Sequence, residues 1–149
     1  MNSSKENFKQ SDTQSELQDL IKSVENHTRI IQINPTFKNS FYCRGKARYE
    51  LEDYDGSIAD FSEHIEFDPK FEVSYCRRGC VKFKIRQYKE AIEDFNTAIG
   101  IKYNYAWAIY NRGLARIELG QKNLAFLDFT VALELGLTEA NEALIDYYQ

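Results

Sequence analysis

Cys76 and Cys80 stand four residues apart, so on a helix both thiols face the same way and together offer half of a soft-metal site. A structural zinc site needs four ligands, and only Cys43 and His64 are available to complete this one. The chain holds three cysteines and two histidines, His27 and His64. An odd, low cysteine count fits free thiols in a reducing compartment better than a disulfide framework. All three are expected to pack as small apolar side chains. The seven glycines are scattered, with no loop that would cradle a phosphate. No metal, no cofactor and no catalytic constellation is expected, and the chain reads as a non-enzyme.

The charged residues show more order. Arg44, Arg78 and Arg112 recur every 34 residues, as do Arg48, Lys82 and Arg116, and Asp60, Asp94 and Asp128. On a helix the first two rows lie one turn apart on one face. Their regular recurrence favours an internal ladder of Arg–Asp pairs that fixes how helices pack, over a basic stripe for an outside ligand. The elements that must position such a ladder repeat with the same period. Phe41, Gly45, Ser57, Phe61 and His64 return as Tyr75, Gly79, Ala91, Phe95 and Ala98, and again as Ile109, Gly113, Ala125, Phe129 and Ala132. Periods of 20 to 50 residues mark stacked repeat architectures.

With Lys38, Glu72 and Ala106 as first positions, this pattern resembles the tetratricopeptide repeat, a 34-residue helix–turn–helix unit with small, aromatic and proline residues at set places. The resemblance implies an all-α fold, a tetratricopeptide-type α-solenoid of antiparallel helix pairs in a right-handed superhelix. Full repeats are expected at 38–71, 72–105 and 106–139, with a half repeat at 13–37 and a capping helix at 138–149. First helices are expected near 38–51, 72–85 and 106–119, and second helices near 55–67, 89–101 and 123–135. The glycine at position eight lets paired helices approach closely. The histidines fall at helix-packing positions, where a lone imidazole is a core residue rather than a base.

Composition sets the outer bounds. The chain has 149 residues, 43% of them hydrophobic and 28% charged, with a net charge of −4, which fits one soluble globular domain. Its basic residues are dispersed, which argues against a nucleic-acid surface. Residues 1–16 are polar, with no apolar run that would serve as a signal peptide or membrane span. The expected address is the cytoplasm. Residues 1–12 read as a disordered tail, leaving 13–149 as a single helical repeat domain. A helix is expected from about Ser15 to Ile33, ending before Asn34-Pro35. At the far end, Thr138 is expected to cap the last helix.

In the family, positions 2, 5, 9 and 12 of each first helix line a concave groove that binds peptides. Here those positions bring together Tyr42 and Tyr49, then Val73, Cys76, Cys80 and Phe83, then Trp107, Tyr110 and Leu114, so the groove is expected to be apolar and aromatic. The expected function is a protein-interaction scaffold that binds a peptide or helix there. The alternative is a structural protein that self-assembles as a homodimer, through the groove or through Leu17, Leu20 and Val24 of the half repeat. Family members that grip the C-terminal carboxylate of a heat-shock chaperone use Lys and Asn at positions 5 and 9, Asn at position 6 of the next repeat, and Lys and Arg at positions 2 and 6 of the third. This chain has Tyr42, Lys46, Arg77, Trp107 and Asn111 there. A frame one repeat earlier matches only at Arg77. The resemblance therefore does not extend to that clamp.

Overall fold

Pro35 ends the first helix where the sequence says it must, and Asn34 closes the last turn by donating to Ile30 at 2.8 Å. The computed structural model describes the backbone of residues 3–148 and the side chains of residues 14–148. Met1, Asn2 and Gln149 lie outside the described residues. Among those described there are eight helices and no strand. They gather into two compact units, Met1–Phe67 and Asp68–Gln149, with the boundary at the Asp68-Pro69 step of the expected domain.

The first unit contains α1 (Ser3–Ile33), α2 (Lys38–Glu50) and α3 (Tyr54–Phe67), with α2 packed against both neighbours. α1 runs from Ser3, ahead of the expected start near Ser15. No proline or glycine interrupts residues 3–33, so nothing in the local sequence forces a break. The second unit contains α4 (Glu72–Lys84), α5 (Tyr88–Ile101), α6 (Ala106–Glu118), α7 (Lys122–Glu134) and α8 (Glu139–Tyr148), each packed on the next. The inner helices begin and end within a residue or two of the expected bounds.

Each second helix buries a three- and four-residue stripe. In α5 it is Ala91, Asp94, Phe95 and Ala98, and in α7 it is Ala125, Asp128, Phe129 and Ala132. The phenylalanine of that stripe lies on the glycine of the paired helix. A Cβ added at Gly113 would come 2.6 Å from Phe129 Cε1, and one at Gly79 2.7 Å from Phe95 Cε1. At Gly45 the corresponding approach to Phe61 is 3.2 Å. Glycine is there for close helix approach, as expected.

The turns inside the repeats share one geometry. After α6, Gly120 N–H donates to Ile117 and Gln121 N–H to Arg116, the two bonds of a Schellman ending. After α4 and α2 the same bonds run from Arg86 to Phe83, Gln87 to Lys82, Glu52 to Tyr49 and Asp53 to Arg48. Glu52 and Arg86 therefore take φ of 60° and 62° without being glycine. Side-chain caps are absent from α2 and from α4 to α7; Phe37, Phe71 and Tyr105 hold three of these N-cap positions and cannot donate or accept there as Ser or Asp would. Thr138 likewise does not cap α8, since its hydroxyl is directed to the Glu139 carboxylate at 3.4 Å.

Candidate functional site: the faces of the first helices

The Arg–Asp ladder lies inside the repeats. Arg44 grips Asp60 with Nε to Oδ2 at 2.9 Å and Nη2 to Oδ1 at 2.6 Å, and Arg48 adds Nη1 to Oδ2 at 3.0 Å. Arg78 and Lys82 treat Asp94 the same way, at 2.7 and 2.8 Å, and Arg112 and Arg116 treat Asp128 the same way, both at 2.7 Å. The three aspartates are 1–4% exposed, so each carboxylate is desolvated and held by two cations. The arginine at position seven also reaches the preceding second helix. Arg44 donates to Thr28 at 3.1 Å and Arg112 to Asn96 at 2.8 Å. These cations are committed to packing, which leaves no basic stripe for an outside ligand.

The residues expected to line the groove divide by depth. In the first unit Tyr42 is half-buried, packed edge-on against Phe61 at 5.8 Å and beside His64 at 5.5 Å, with Lys46 over its ring. Tyr49 rests on Tyr54 at 6.0 Å. In the second unit Val73, Cys80, Phe83, Tyr110 and Leu114 are half-buried, and Trp107 is 41% exposed. Phe83 sits on Tyr88 at 5.4 Å, the same position pair as Tyr49 and Tyr54. Trp107 stacks on Tyr110 at 5.8 Å, and Tyr110 leans on Phe129 at 5.7 Å.

Cys76 departs from the expected groove. It is 1% exposed and packs in the core with Phe95, Ala108 and Ala115, because position 5 points at the next first helix and a small thiol fits between. Its thiol bonds to Cys80 and accepts a hydrogen bond from the Tyr105 hydroxyl. The bond to Cys80 and then burial hold the Cys76 proton far above the ordinary thiol range. Cys80 is drawn the other way, first by that bond from Cys76 and then by Arg77 and Lys84, against its own burial. All three cysteines are free. Among the described residues no group of three or more His, Cys, Asp and Glu side chains could hold a metal ion, and no helix is long and apolar enough to cross a membrane.

The last helix covers one end of the groove face. Ala140 and Ala143 of α8 share a core with Ile109 and Phe129, and Tyr110, Leu114 and Leu144 pack on it. The Tyr148 hydroxyl donates to the Lys122 carbonyl, which ties α8 to the start of α7. Burial pushes the Tyr110 hydroxyl up, and Tyr147, Glu139, Glu142 and Asp146 of α8 push it further. Glu139, Glu142 and Asp146 thus lie within electrostatic range of the Tyr110 hydroxyl.

Two features were not foreseen from sequence. A cavity of about 290 Å³ in the first unit is lined by Leu20, Ser23, His27, Cys43, Lys46, Ala47 and Glu50. His27 is half-buried there, with Nδ1 3.2 Å from the Ser40 hydroxyl, rather than set in the core. The second is a row of exposed apolar residues on α7, Leu124, Leu127, Val131 and Leu135. Its three- and four-residue spacing was visible in the sequence. The sign to look for was the contrast with Glu90, Glu93, Thr97 and Ile101 at the same positions of the preceding repeat.

The comparisons with known proteins agree with this architecture. A tetratricopeptide repeat family model matches residues 73–105. No curated protein matches the sequence. The fold is similar to that of MamA, with a TM-score of 0.76 and 18% identity over 84% of this chain and 78% of that one. It is also similar to the second repeat domain of Spaghetti (RPAP3) bound to the HSP90 peptide SRMEEVD, with a TM-score of 0.64 and 31% identity over 66% of this chain and 91% of that one. The second repeat domain of human RPAP3, in complex with the HSP70 peptide SGPTIEEVD, gives 0.69 and 29% over 73% and 92%. The recurring glycine, aspartate and phenylalanine of the paired helices, together with a relative 31% identical across nine-tenths of its length, place the chain in the tetratricopeptide repeat family.

Proposed function

We propose that the second unit is a peptide-binding module, and that it takes an apolar segment carrying a basic residue on the face of α4 and α6. The observation that carries this is Trp107, an indole left 41% exposed while its orientation is fixed by stacking on Tyr110. An immobilised aromatic ring loses little entropy on binding, and such anchors carry a disproportionate share of binding energy, typically about 2 kcal/mol or more on truncation. Val73, Cys80 and Phe83 extend the apolar surface along α4. Tyr42 and Tyr49 offer similar rings in the first unit and are second candidates.

Related repeat domains bind the acidic peptides SRMEEVD and SGPTIEEVD. Near Tyr110, the carboxylates of Glu139, Glu142 and Asp146 repel such tails and attract Lys or Arg, and the five clamp positions lack the required residues. The role supported is a binding scaffold, and no catalytic family is indicated for the chain.

The experiment is a selection of displayed peptides on the full chain, followed by calorimetric titration of wild type and variants, with fluorescence of Trp107, the one tryptophan, followed in the wild type. Selected sequences are expected to be apolar and basic, and to bind Trp107→Ala and Phe83→Ala at least tenfold more weakly while both variants remain folded at the assay temperature. SRMEEVD serves as the comparison. Equal or tighter binding of SRMEEVD, or unaltered affinity in both variants, would overturn the reading.

A further inference from the structure

We propose that Cys76 and Cys80 form a two-coordinate site for one soft monovalent cation of the Cu(I) type, independent of the peptide-binding reading above. Both residues stand on α4, one turn apart, and both pack in one core cluster, Cys76 inside at 1% exposure and Cys80 half-buried at its edge. The Cys76 thiol is hydrogen-bonded to Cys80 and accepts a hydrogen bond from the Tyr105 hydroxyl. The two sulfurs therefore already lie together, and the inner one has an oriented donor behind it, as ligand atoms of metal sites do.

The repeat itself shows that packing does not demand these residues. At the position of Cys76 the neighbouring repeats hold Tyr42 and Tyr110, and at that of Cys80 they hold Lys46 and Leu114. At the position of Tyr105 the chain twice has phenylalanine, Phe37 and Phe71. An aromatic ring is all that this last position needs elsewhere, so the hydroxyl is the part that the repeat does not require. Three departures from the repeat pattern thus meet at one point, two thiols and the group that bonds to the inner one.

Ligand chemistry selects the ion. Thiolates are soft ligands that favour Cu(I), zinc and iron–sulfur clusters. A structural zinc ion and an iron–sulfur cluster each take four ligands. Among the described residues no group of three or more His, Cys, Asp and Glu side chains could supply them. A soft monovalent ion is satisfied by two sulfurs in line, only slightly farther apart than two hydrogen-bonded thiols. Phe95, Ala108 and Ala115 wall the inner sulfur and Phe83 packs on the same cluster, which keeps water from a third position. Cys80, at the edge, is the point of entry. On binding, two S–H bonds give way to two sulfur–metal bonds, two protons pass to solvent and no electron is transferred. The bis-thiolate complex carries one negative charge, which the neighbouring cations Arg77 and Lys84 offset.

Anaerobic titration of the full chain with Cu(I), in competition with bicinchoninate, tests this. The wild type is expected to retain one Cu(I) per chain while remaining the same size on a sizing column, with two sulfur neighbours and no third ligand in copper K-edge absorption. Cys80→Ser and Cys76→Ala should each weaken retention at least tenfold, and Cys43→Ala should leave it unchanged. Tyr105→Phe installs the residue of the other repeats and should weaken retention several-fold. Zn(II) at the same concentration should not be retained. A wild type that yields all its copper to bicinchoninate overturns the proposal. So does retention that survives Cys80→Ser or is lost in Cys43→Ala, or copper that joins two chains. Tyr105→Phe binding as tightly as wild type overturns the part assigned to that hydroxyl. Should Cys76→Ala lose its fold, Cys80→Ser decides, because that side chain lies at the half-buried edge of the cluster. No peptide takes part, so these outcomes stand apart from those at Trp107.

Discussion

Arg112 and Asp128 meet side by side, with Nε to Oδ2 at 3.1 Å and Nη2 to Oδ1 at 2.7 Å, and Arg116 shares Oδ2 at 2.7 Å from the next turn of the same helix. One buried carboxylate is therefore shared by two guanidinium groups and offsets part of their mutual repulsion, leaving the cluster with one net positive charge. Burial pulls the Arg116 guanidinium down from its ordinary range, and Asp128 is what opposes that. The pair joins α6 to α7, and Arg112 also joins α6 to α5 through Asn96. The ladder thus specifies both the partner within a repeat and the neighbour before it.

Asp128→Ala is expected to lower stability by about 3–5 kcal/mol, the usual cost of leaving a buried charge without its counter-ion. Urea unfolding followed by circular dichroism measures it. Asp60→Ala and Asp94→Ala should behave alike, since those carboxylates are as deeply buried. Unchanged midpoints in all three would show that solvent screens these pairs and that the ladder contributes nothing to stability.

The left-handed turn residues give an opposite prediction. Glu52 and Arg86 adopt φ near 60° where Gly120 and Gly136 stand at equivalent helix ends, and an L side chain there costs about 1–2 kcal/mol. Glycine removes that cost and adds about 0.4–1 kcal/mol of unfolded-state entropy. Arg86→Gly and Glu52→Gly should therefore each raise stability by up to about 1 kcal/mol, or about 2–4 °C in melting temperature for a chain this size. Gly120→Ala should lower it by a similar amount. A fall in both glycine variants would mean that Glu52 and Arg86 make compensating contacts through their side chains.

Most of the fold was legible because the repeat supplied its own control. Phe61, Phe95 and Phe129 had to face Gly45, Gly79 and Gly113 in three settings, and a pairing that works three times fixes helix bounds that a single window would leave loose. Local sequence is least informative where the period stops. The repeat does not reach the start of α1, and a polar stretch without glycine or proline is compatible with both helix and coil. The site was less legible than the fold. Heptad-like position places Cys76 and Cys80 on one face, yet one turn of tilt puts Cys76 in the core and leaves Cys80 at its edge. The rests that hold Tyr49 and Phe83 come from Tyr54 and Tyr88, at a position with no assigned role in the repeat pattern.

That edge position has a chemical consequence, and it can be measured. The thiolate is the reactive form of cysteine, so labelling rates rise as pH passes the thiol pKa. Cys80 is half-buried and drawn below the ordinary range, chiefly by the hydrogen bond from Cys76, with Arg77 and Lys84 assisting. Cys76 is 1% exposed and holds its proton. In native protein treated with iodoacetamide, peptide mass mapping is expected to find Cys80 modified well before Cys76, with half-maximal rate at a lower pH than for an ordinary cysteine. Cys76→Ala removes the donor that stabilises the Cys80 thiolate, so the same profile should move to higher pH in that variant while burial is little changed. A Cys80 profile that does not move in Cys76→Ala would assign the shift to Arg77 and Lys84 instead, and equal labelling of Cys76 and Cys80 in the folded wild type would show that the core around Cys76 opens as readily as its edge.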